Sequence, residues 1–435
     1  MTVVKTEAAP YLEAFRQRPA ADEPKWLAET RRAALDRFAE LGFPTRRDEL
    51  WRFTNLGPLT KAVFLPAASA ATADQSALAP YLLDGARHRI VLVNGRFAPA
   101  LSAIGDLPKG AWLGSTAEAM KTHPDWVRAA FEESDTLGAQ PLASLNGAFF
   151  ADGFVLALEK GVVLQGPVEI IHLGGAAAPQ AFHLRNVVLA GAGSGAAIVE
   201  TYAGGGASWT NAVARVTAGE GARIAHMKIQ AEGGEAIHTA LTRGSLAAEA
   251  RYESFTLTTG ARLSRNDSLI ALRGDNAYLN LSGAYLLRGE QEATTATFVE
   301  HGALGGETRE VFKGVMDERS HGVFLGKIAV RPGADKTNAH QLNRNLLLSR
   351  RASVDTKPEL EILADDVKCS HGATVGDLDE TALFYLRSRG IPEPAARRML
   401  IESFAADAIE SAVAEPGLRA HLRRHLDTWL EKRGS

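Results

Sequence analysis

Cysteine is almost absent from this chain of 435 residues, which carries Cys369 alone. A single cysteine excludes an internal disulfide framework and a four-cysteine metal site, and it fits a reducing compartment. Long apolar runs are absent as well. No segment approaches the roughly 18 consecutive apolar residues of a membrane span, and the first residues lack the apolar core of a signal peptide. We therefore expect a cytoplasmic protein.

An excess of either charge is also missing. The chain has 48 basic and 51 acidic residues, for a formal net charge of -3. Such a balance gives no electrostatic signature of binding to nucleic acid or to an acidic membrane. Apolar residues make up 46% and charged residues 23%, as in an ordinary folded protein. The length exceeds what one compact core supports, so we expect two or three regions or one elongated stack.

The common catalytic motifs are missing too. Without a G-x-x-x-x-G-K-[ST] segment the chain should not hydrolyse nucleotide by itself, and it has neither G-x-S-x-G nor H-E-x-x-H. The glycine-rich segment from Gly191 to Ala196 fits the dinucleotide fingerprint formally. That fingerprint needs a helix directly afterwards, whereas Ile198 to Tyr202 is strongly β-forming. We interpret the segment as a turn between strands and predict no enzymatic activity.

The sequence from 1 to 150 predicts a region that is helical in its first part and mixes helices with strands in its second part. Residues 10–41 show apolar residues at helical spacing, and an Ala-rich stretch near 66–79 predicts a loop. Val91 to Val93 predicts a strand running into a turn. Residues 117–131 and 142–149 predict further helices.

From Gly153 to about Gly376 short β-forming runs alternate with glycine. No segment of helical periodicity interrupts them, which disfavours an alternating βαβ fold and leaves a sandwich, a barrel or a solenoid. A solenoid adds rungs without a limit on length, so we predict a β-helix core over residues 151–376. No hexapeptide or nonapeptide period is present, which disfavours the left-handed hexapeptide fold.

The region from 377 to 435 returns to helical periodicity. Asp377 and Asp379 both offer N-caps, and Gly390 with Pro392 ends the first short helix. Leu400, Phe404 and Ala408 recur every fourth residue in the second helix. Ile401, Ala405 and Ile409 do so beside them, and the two rows together form an apolar stripe. This stripe either packs onto the solenoid end or forms a groove for a partner, and its position favours packing.

Cys369 and His371 form the most chemically distinctive pair in the chain. Residues two apart on a strand project from the same face, so thiol and imidazole should stand side by side. Such a pair suits iron, zinc or copper but supplies only two of the four ligands of a tetrahedral ion. The alternatives are a buried cysteine beside a hydrogen-bonded structural histidine and a catalytic Cys-His nucleophile. The other histidines occur singly, and we expect most of them to be structural.

Several long segments resemble the SufB/SufD family of iron-sulfur cluster assembly proteins. The resemblance spans nearly the whole chain, and the N-terminal segment is of the SufD type rather than the SufB type. The segments that carry it are Pro44 to Leu56, Asp355 to Ile362, Ala364 to Gly376 and Leu383 to Ile391.

This resemblance implies a right-handed parallel β-helix flanked by N-terminal and C-terminal helical regions. It implies an assembly with SufB and two copies of the ATPase SufC, in which nascent clusters form near the SufB-SufD interface. By motif match, Cys369 and His371 are the ligands that this chain would contribute. The C-terminal helices would contact SufC, with the candidate contact residues Leu383, Phe384, Tyr385, Arg387, Leu400 and Phe404.

Further expectations concern the isolated chain. With one cysteine it should bind no cluster stably alone, sharing iron or a cluster only transiently with SufB. An exposed β edge could support a homodimer when SufB is absent. Two hypotheses from other functional classes stay open at this point. One is a solenoid polysaccharide lyase or hydrolase, and the other is a purely structural homodimer with a packed Cys-x-His.

Overall fold

The computed structural model describes residues 6–18, 23–67, 73–131 and 140–433, with helices at both ends of the chain and strands between them. The N-terminal helices are α1 (Ala9–Arg16), α2 (Lys25–Leu41), α3 (Gly57–Lys61), α4 (Thr116–Thr122), α5 (Pro124–Ala129) and α6 (Pro141–Phe149). The C-terminal helices are α7 (Glu380–Ser388), α8 (Glu393–Ala412) and α9 (Pro416–Arg433). Within these ranges no helix is both long and apolar enough to cross a membrane.

Most of the predicted helices are confirmed within one or two residues of their ends. The segment predicted at 10–41 is divided into α1 and α2, and the Pro at the start of α5 separates it from α4. Of the loop predicted near 66–79, residues 68–72 lie outside the described residues. The residues on either side form β1 (Leu65–Pro66) and a 3-10 helix (Gln75–Tyr81).

The strands fall into an irregular N-terminal set and a regular later set. The early strands are β2 (His88–Val93), β3 (Arg96–Phe97), β4 (Ala103–Ile104), β5 (Ala111–Ser115) and β6 (Phe154–Leu158). The later strands are β7 (Val168–Ala190), β8 (Gly195–Ala218), β9 (Arg223–Gln230), β10 (Ile237–Leu246), β11 (Arg251–Thr258), β12 (Leu263–Leu272), β13 (Tyr278–Leu287), β14 (Glu292–His301), β15 (Glu307–Met316), β16 (His321–Val330), β17 (Asn338–Leu347), β18 (Ser353–Ile362) and β19 (Lys368–Gly376).

The later strands stack into two parallel sheets that together form a β-helix. We call β9, β11, β13, β15, β17 and β19 stack A, and β10, β12, β14, β16 and β18 stack B; every neighbour within a stack is parallel. The first half of β8 pairs with β9 and its second half with β10, so β8 belongs to both stacks. The predicted parallel β-helix is confirmed.

The interior of the β-helix is filled by alternate side chains of both stacks. Ile198, Ile224 and Tyr252 from one side meet Leu246 and Ile270 from the other in one continuous apolar cluster. Because these side chains recur at every turn, each rung buries the face of the next, as in other solenoids.

The N-terminal helices cover the outer face where stack B begins. Trp209 is fully buried there, and its indole Nε1 donates to the Thr239 hydroxyl at 2.9 Å. Phe43 and Phe64 pack against the Trp209 ring with centroid distances of 6.2 and 6.5 Å. These helices therefore close the first turns of stack B from solvent.

The C-terminal helices cover the outer face of stack A. Ile401, Ala405 and Ile409 of α8 are buried against Phe255 and Met227 of the sheet. The side chain of Asp379 caps α7 by accepting from the backbone N–H groups that follow it, at 2.8 and 3.1 Å. The apolar side of α8 therefore packs on a face of the β-helix, whereas β19 stays largely exposed among the residues that the structure describes.

Candidate functional site

Cys369 and His371 lie on β19, the last strand of stack A. Cys369 is paired with Ala339 and His371 with Gln341 of the neighbouring strand, and both of those partners are buried inside the β-helix. Since partners in a parallel ladder share a face, the thiol and the imidazole both belong to the interior side of the last rung. The strand alternation that we predicted therefore places them on one face.

The Cys369 side chain is half-buried and packs against the interior apolar cluster. Burial raises the pKa of its thiol, while a backbone hydrogen bond with Ala339 acts in the opposite direction. A thiol has to lose its proton to bind iron, so this environment disfavours binding until a cation is near.

His371 stands at the exposed end of a column of polar interior side chains. Gln341 lies directly beneath it, and Glu310 lies beneath Gln341. The Gln341 Nε2 donates to Glu310 Oε2 at 2.5 Å, and the Thr297 hydroxyl donates to the same oxygen at 3.2 Å. Burial raises the pKa of Glu310 to about 7, although both hydrogen bonds lower it.

The end of the β-helix beside this column is open. Among the described residues, β19 pairs with β17 alone and β18 with β16 alone, so each last strand presents an unpaired edge. Ile362, Leu363 and Val375 are exposed apolar side chains at this end. Unpaired strand edges with apolar neighbours are typical sites for docking another chain.

The residues that we expected to contact SufC divide into two groups. Phe384 is 72% exposed and Tyr385 is exposed beside it. The Arg387 guanidinium forms an exposed ion pair with Glu393 at 3.3 Å. Leu383 is buried, and Leu400 and Phe404 pack against the apolar cluster beneath α8.

A second polar cluster lies deeper inside the β-helix. Glu200 accepts from the imidazole Nε2 atoms of His172 and His226, each at 3.0 Å, and Asn186 donates to it at 2.7 Å. Burial opposes ionisation of Glu200, but the two histidines outweigh burial and hold its pKa well below the ordinary value. Burial lowers the pKa of the nearby Lys228 to about 8.

The glycine-rich segment is a turn, as its sequence context predicts. Gly193 has a φ of 65° and Gly195 begins β8, so a strand and not a helix follows. The N-terminal helix dipole that a dinucleotide pyrophosphate requires is therefore missing at this position.

Throughout the described ranges no three His, Cys, Asp or Glu side chains lie together in a way that could hold a metal ion. Cys369 and His371 thus stand as a pair, and any further ligands for an ion bound there have to approach from outside these residues.

Family models match nearly the whole chain. The SUF system FeS cluster assembly, SufBD core domain matches residues 172–404, and the SufBD protein N-terminal region matches residues 6–170. The chain belongs to the SufBD family. Its members include an iron-sulfur cluster assembly SufBD family protein of Synechocystis, 31% identical over 97% of this chain and 96% of that protein.

Two relatives carry the name SufD. The iron-sulfur cluster assembly protein SufD of Escherichia coli is 30% identical over 88% of this chain and 89% of its own length. The SufD of Bacillus subtilis is 26% identical over 93% of this chain and 94% of its own length. The chain is thus a SufD-like SufBD family protein of iron-sulfur cluster assembly.

Sequence reasoning missed the polar column in this SufBD protein. Glu310, Gln341 and His371 lie 31 and 30 residues apart, which is one turn of the β-helix in each case. The turn length varies, so this spacing becomes informative only when the strand register is known. In stack B, for example, Leu241 pairs with Asp267 after 26 residues and Leu325 pairs with Lys357 after 32.

Proposed function

We propose that this chain is the SufD-type subunit of a SufB-SufC-SufD assembly scaffold, with Cys369 and His371 as its half of a cluster site shared with SufB. The observation that carries the proposal is the position of this pair on the last, uncovered rung of the β-helix. The chain performs no catalytic step of its own, and its substrate is iron or a nascent cluster held transiently.

The open end supports the pairing with SufB. A partner strand placed beside β18 or β19 would satisfy their free backbone groups and cover Ile362, Leu363 and Val375. Strand addition at such an edge supplies hydrogen bonds and buries apolar surface in a single contact. It would also bring the partner's ligands within reach of Cys369 and His371.

The exposed part of α7 supports the contact with SufC. Phe384 and Tyr385 present large aromatic surfaces to solvent, and the Arg389 guanidinium lies over the Tyr385 ring and bonds its hydroxyl at 2.9 Å. Exposed aromatic and arginine side chains are enriched at the centres of protein interfaces. Nucleotide hydrolysis by SufC would act on this chain through α7 and α8.

The single cysteine supports a reducing compartment for this work, and we propose the cytoplasm. When SufB is absent, the open end pairs with a second copy of this chain. Light scattering should then give the mass of a dimer for the isolated protein, and a monomer at micromolar concentration would rule this pairing out.

The test uses this chain purified together with SufB and SufC under anaerobic conditions. His371→Ala should leave the complex assembled and remove most of its iron and acid-labile sulfide, because half of the chain's ligand pair is lost. His340→Ala is the matched control. His340 lies on β17 beside Gln341 but on the outer face, where its imidazole bonds the Ser370 hydroxyl at 2.7 Å.

Retention of the full cluster content in His371→Ala would contradict the ligand role. The histidine would then be structural and the contribution of the chain architectural. Loss of cluster in both variants would assign the effect to the end of the β-helix in general, and the proposed role of His371 would fall as well.

A further inference from the structure

Two neighbouring oxygen atoms beneath His371 have no hydrogen-bond partner among the described residues. They are Oε1 of Gln341 and Oε1 of Glu310, and both are shielded from solvent inside the β-helix. Buried polar atoms are nearly always paired, so each of these acceptors requires a donor, which a water molecule, an ion or a neighbouring side chain can supply. The donor-bearing side chain directly above Gln341 in its column is the imidazole of His371.

The interior is shaped to keep Gln341 in this position. Gly326 of stack B lies across from it, and a Cβ atom on Gly326 would overlap the Gln341 side-chain amide. On the inner side, Glu310 accepts the Gln341 Nε2–H, and the Thr297 hydroxyl donates a hydrogen bond to Glu310. The amide nitrogen is thus engaged on the inner side, which leaves the amide oxygen as the free acceptor.

We propose that Gln341, anchored by Glu310, is a positioning residue that accepts the N–H of His371 and so fixes which imidazole nitrogen presents its lone pair at the open end. A histidine that ligates a metal donates its other N–H to an oxygen, and this bond sets both the tautomer and the ring orientation. The inference rests on the proposed function for the role of His371 as a ligand. The hydrogen bond itself can be tested without any cluster.

The test observes the imidazole directly in the isolated full-length chain labelled with ¹⁵N-histidine. Multiple-bond ¹H–¹⁵N spectra report the tautomer of each neutral imidazole, and His371→Gln identifies the His371 signals by their loss. In the wild type His371 should populate one tautomer. In Gln341→Met, which keeps the length of the side chain and removes the acceptor, both tautomers should appear. The His340 signals on the outer face should not change in either variant.

A second variant exchanges the two groups, Glu310→Gln combined with Gln341→Glu. The carboxylate would then face the imidazole, and because a carboxylate oxygen accepts the same N–H, His371 should keep a single tautomer in this variant. This exchange preserves the number of side-chain atoms in the column, so it remains informative if Gln341→Met does not fold.

An unchanged His371 tautomer in Gln341→Met, or two His371 tautomers in the exchanged variant, would overturn the positioning role. These outcomes are separable from failure of the proposed function. If the tautomer responds as expected but His371→Ala complexes keep their cluster, the hydrogen bond stands and the ligand role of His371 falls. If the tautomer does not respond but cluster is lost in His371→Ala, the reverse holds.

Discussion

Glu310 places an ionisable carboxyl in the closed interior of the β-helix, two rungs below the open end. Burial raises its pKa from 4.5 to about 7, so the carboxyl is largely protonated in the folded protein below neutral pH and largely ionised above it. In the unfolded chain the same carboxyl is already ionised near pH 5. The folded state therefore binds the extra proton over this interval, and stability falls as the pH rises from about 4.5 through 7.

The corresponding prediction concerns the difference between wild type and Glu310→Gln. The unfolding free energy of the variant minus that of wild type should increase by roughly 2 to 3 kcal/mol from pH 5 to pH 8, because the amide of the variant cannot ionise. Urea unfolding at the two pH values measures this difference. Glu290→Gln is the control, since Glu290 is exposed and forms only an exposed ion pair with Arg319. A constant difference between Glu310→Gln and wild type across this interval would refute the buried, titrating carboxyl.

Cys369 illustrates why chemistry at a single residue was only partly predictable. Its spacing from His371 was sufficient to predict a shared face, because strand alternation is a local property. The polar neighbours Gln341 and Glu310 come from strands one and two turns earlier, and nothing in a local pattern connects them to the pair. Only the register of the stack brings them together.

At the scale of elements, α7 differs from α8 in what its side chains contact. The apolar stripe of α8 packs against the β-helix, and Ile401 and Ile409 are fully buried there. In α7 only Leu383 is buried, and the aromatic side chains point to solvent. The surface available for the proposed SufC contact is therefore on α7 more than on the apolar stripe of α8.

We predict that Phe384→Asp weakens binding of purified SufC at least tenfold, as removal of a central interface aromatic side chain does. Because Phe384 is largely exposed, the stability of the chain should change by no more than about 0.5 kcal/mol. Isothermal titration calorimetry measures the affinity. Leu304→Asp, an exposed apolar position in the loop after β14, should leave SufC binding unchanged. Equal affinity of Phe384→Asp and wild type would exclude α7 as the contact.

The register of the strands could not be predicted from the sequence pattern. In β13 every residue after Tyr278 is buried, because the β-helix interior lies on one side and α8 on the other. In the second half of β13, where Ala284 and Leu286 pack against the cluster beneath α8, the alternation of polar and apolar residues disappears, and with it the signal that separates inward from outward positions. The existence of strands was therefore predictable from β-forming runs between glycines, but their register was not.

At the scale of the whole molecule, the two ends of the β-helix differ in how far other elements cover them. The first turns are covered by the N-terminal helices around Trp209, and stack A is covered laterally by α8 and α9. The last rung, with Cys369 and His371, is left uncovered among the described residues. The β-helix was predictable because a solenoid adds rungs without a limit on length, whereas a sandwich reaches such a length only near its upper limit. Which end of the β-helix stays open was not predictable from the sequence, since it depends on where the helices dock.

The central claim is that this chain supplies a histidine ligand to a cluster completed by a partner. The most direct measurement is pulsed electron paramagnetic resonance of the reduced cluster, in a complex where this chain alone carries ¹⁵N-histidine and SufB and SufC are unlabelled. We expect a ¹⁵N hyperfine coupling from a directly bound imidazole, present in wild type and in His340→Ala. A reduced cluster that shows no ¹⁵N coupling in the wild-type complex would contradict it.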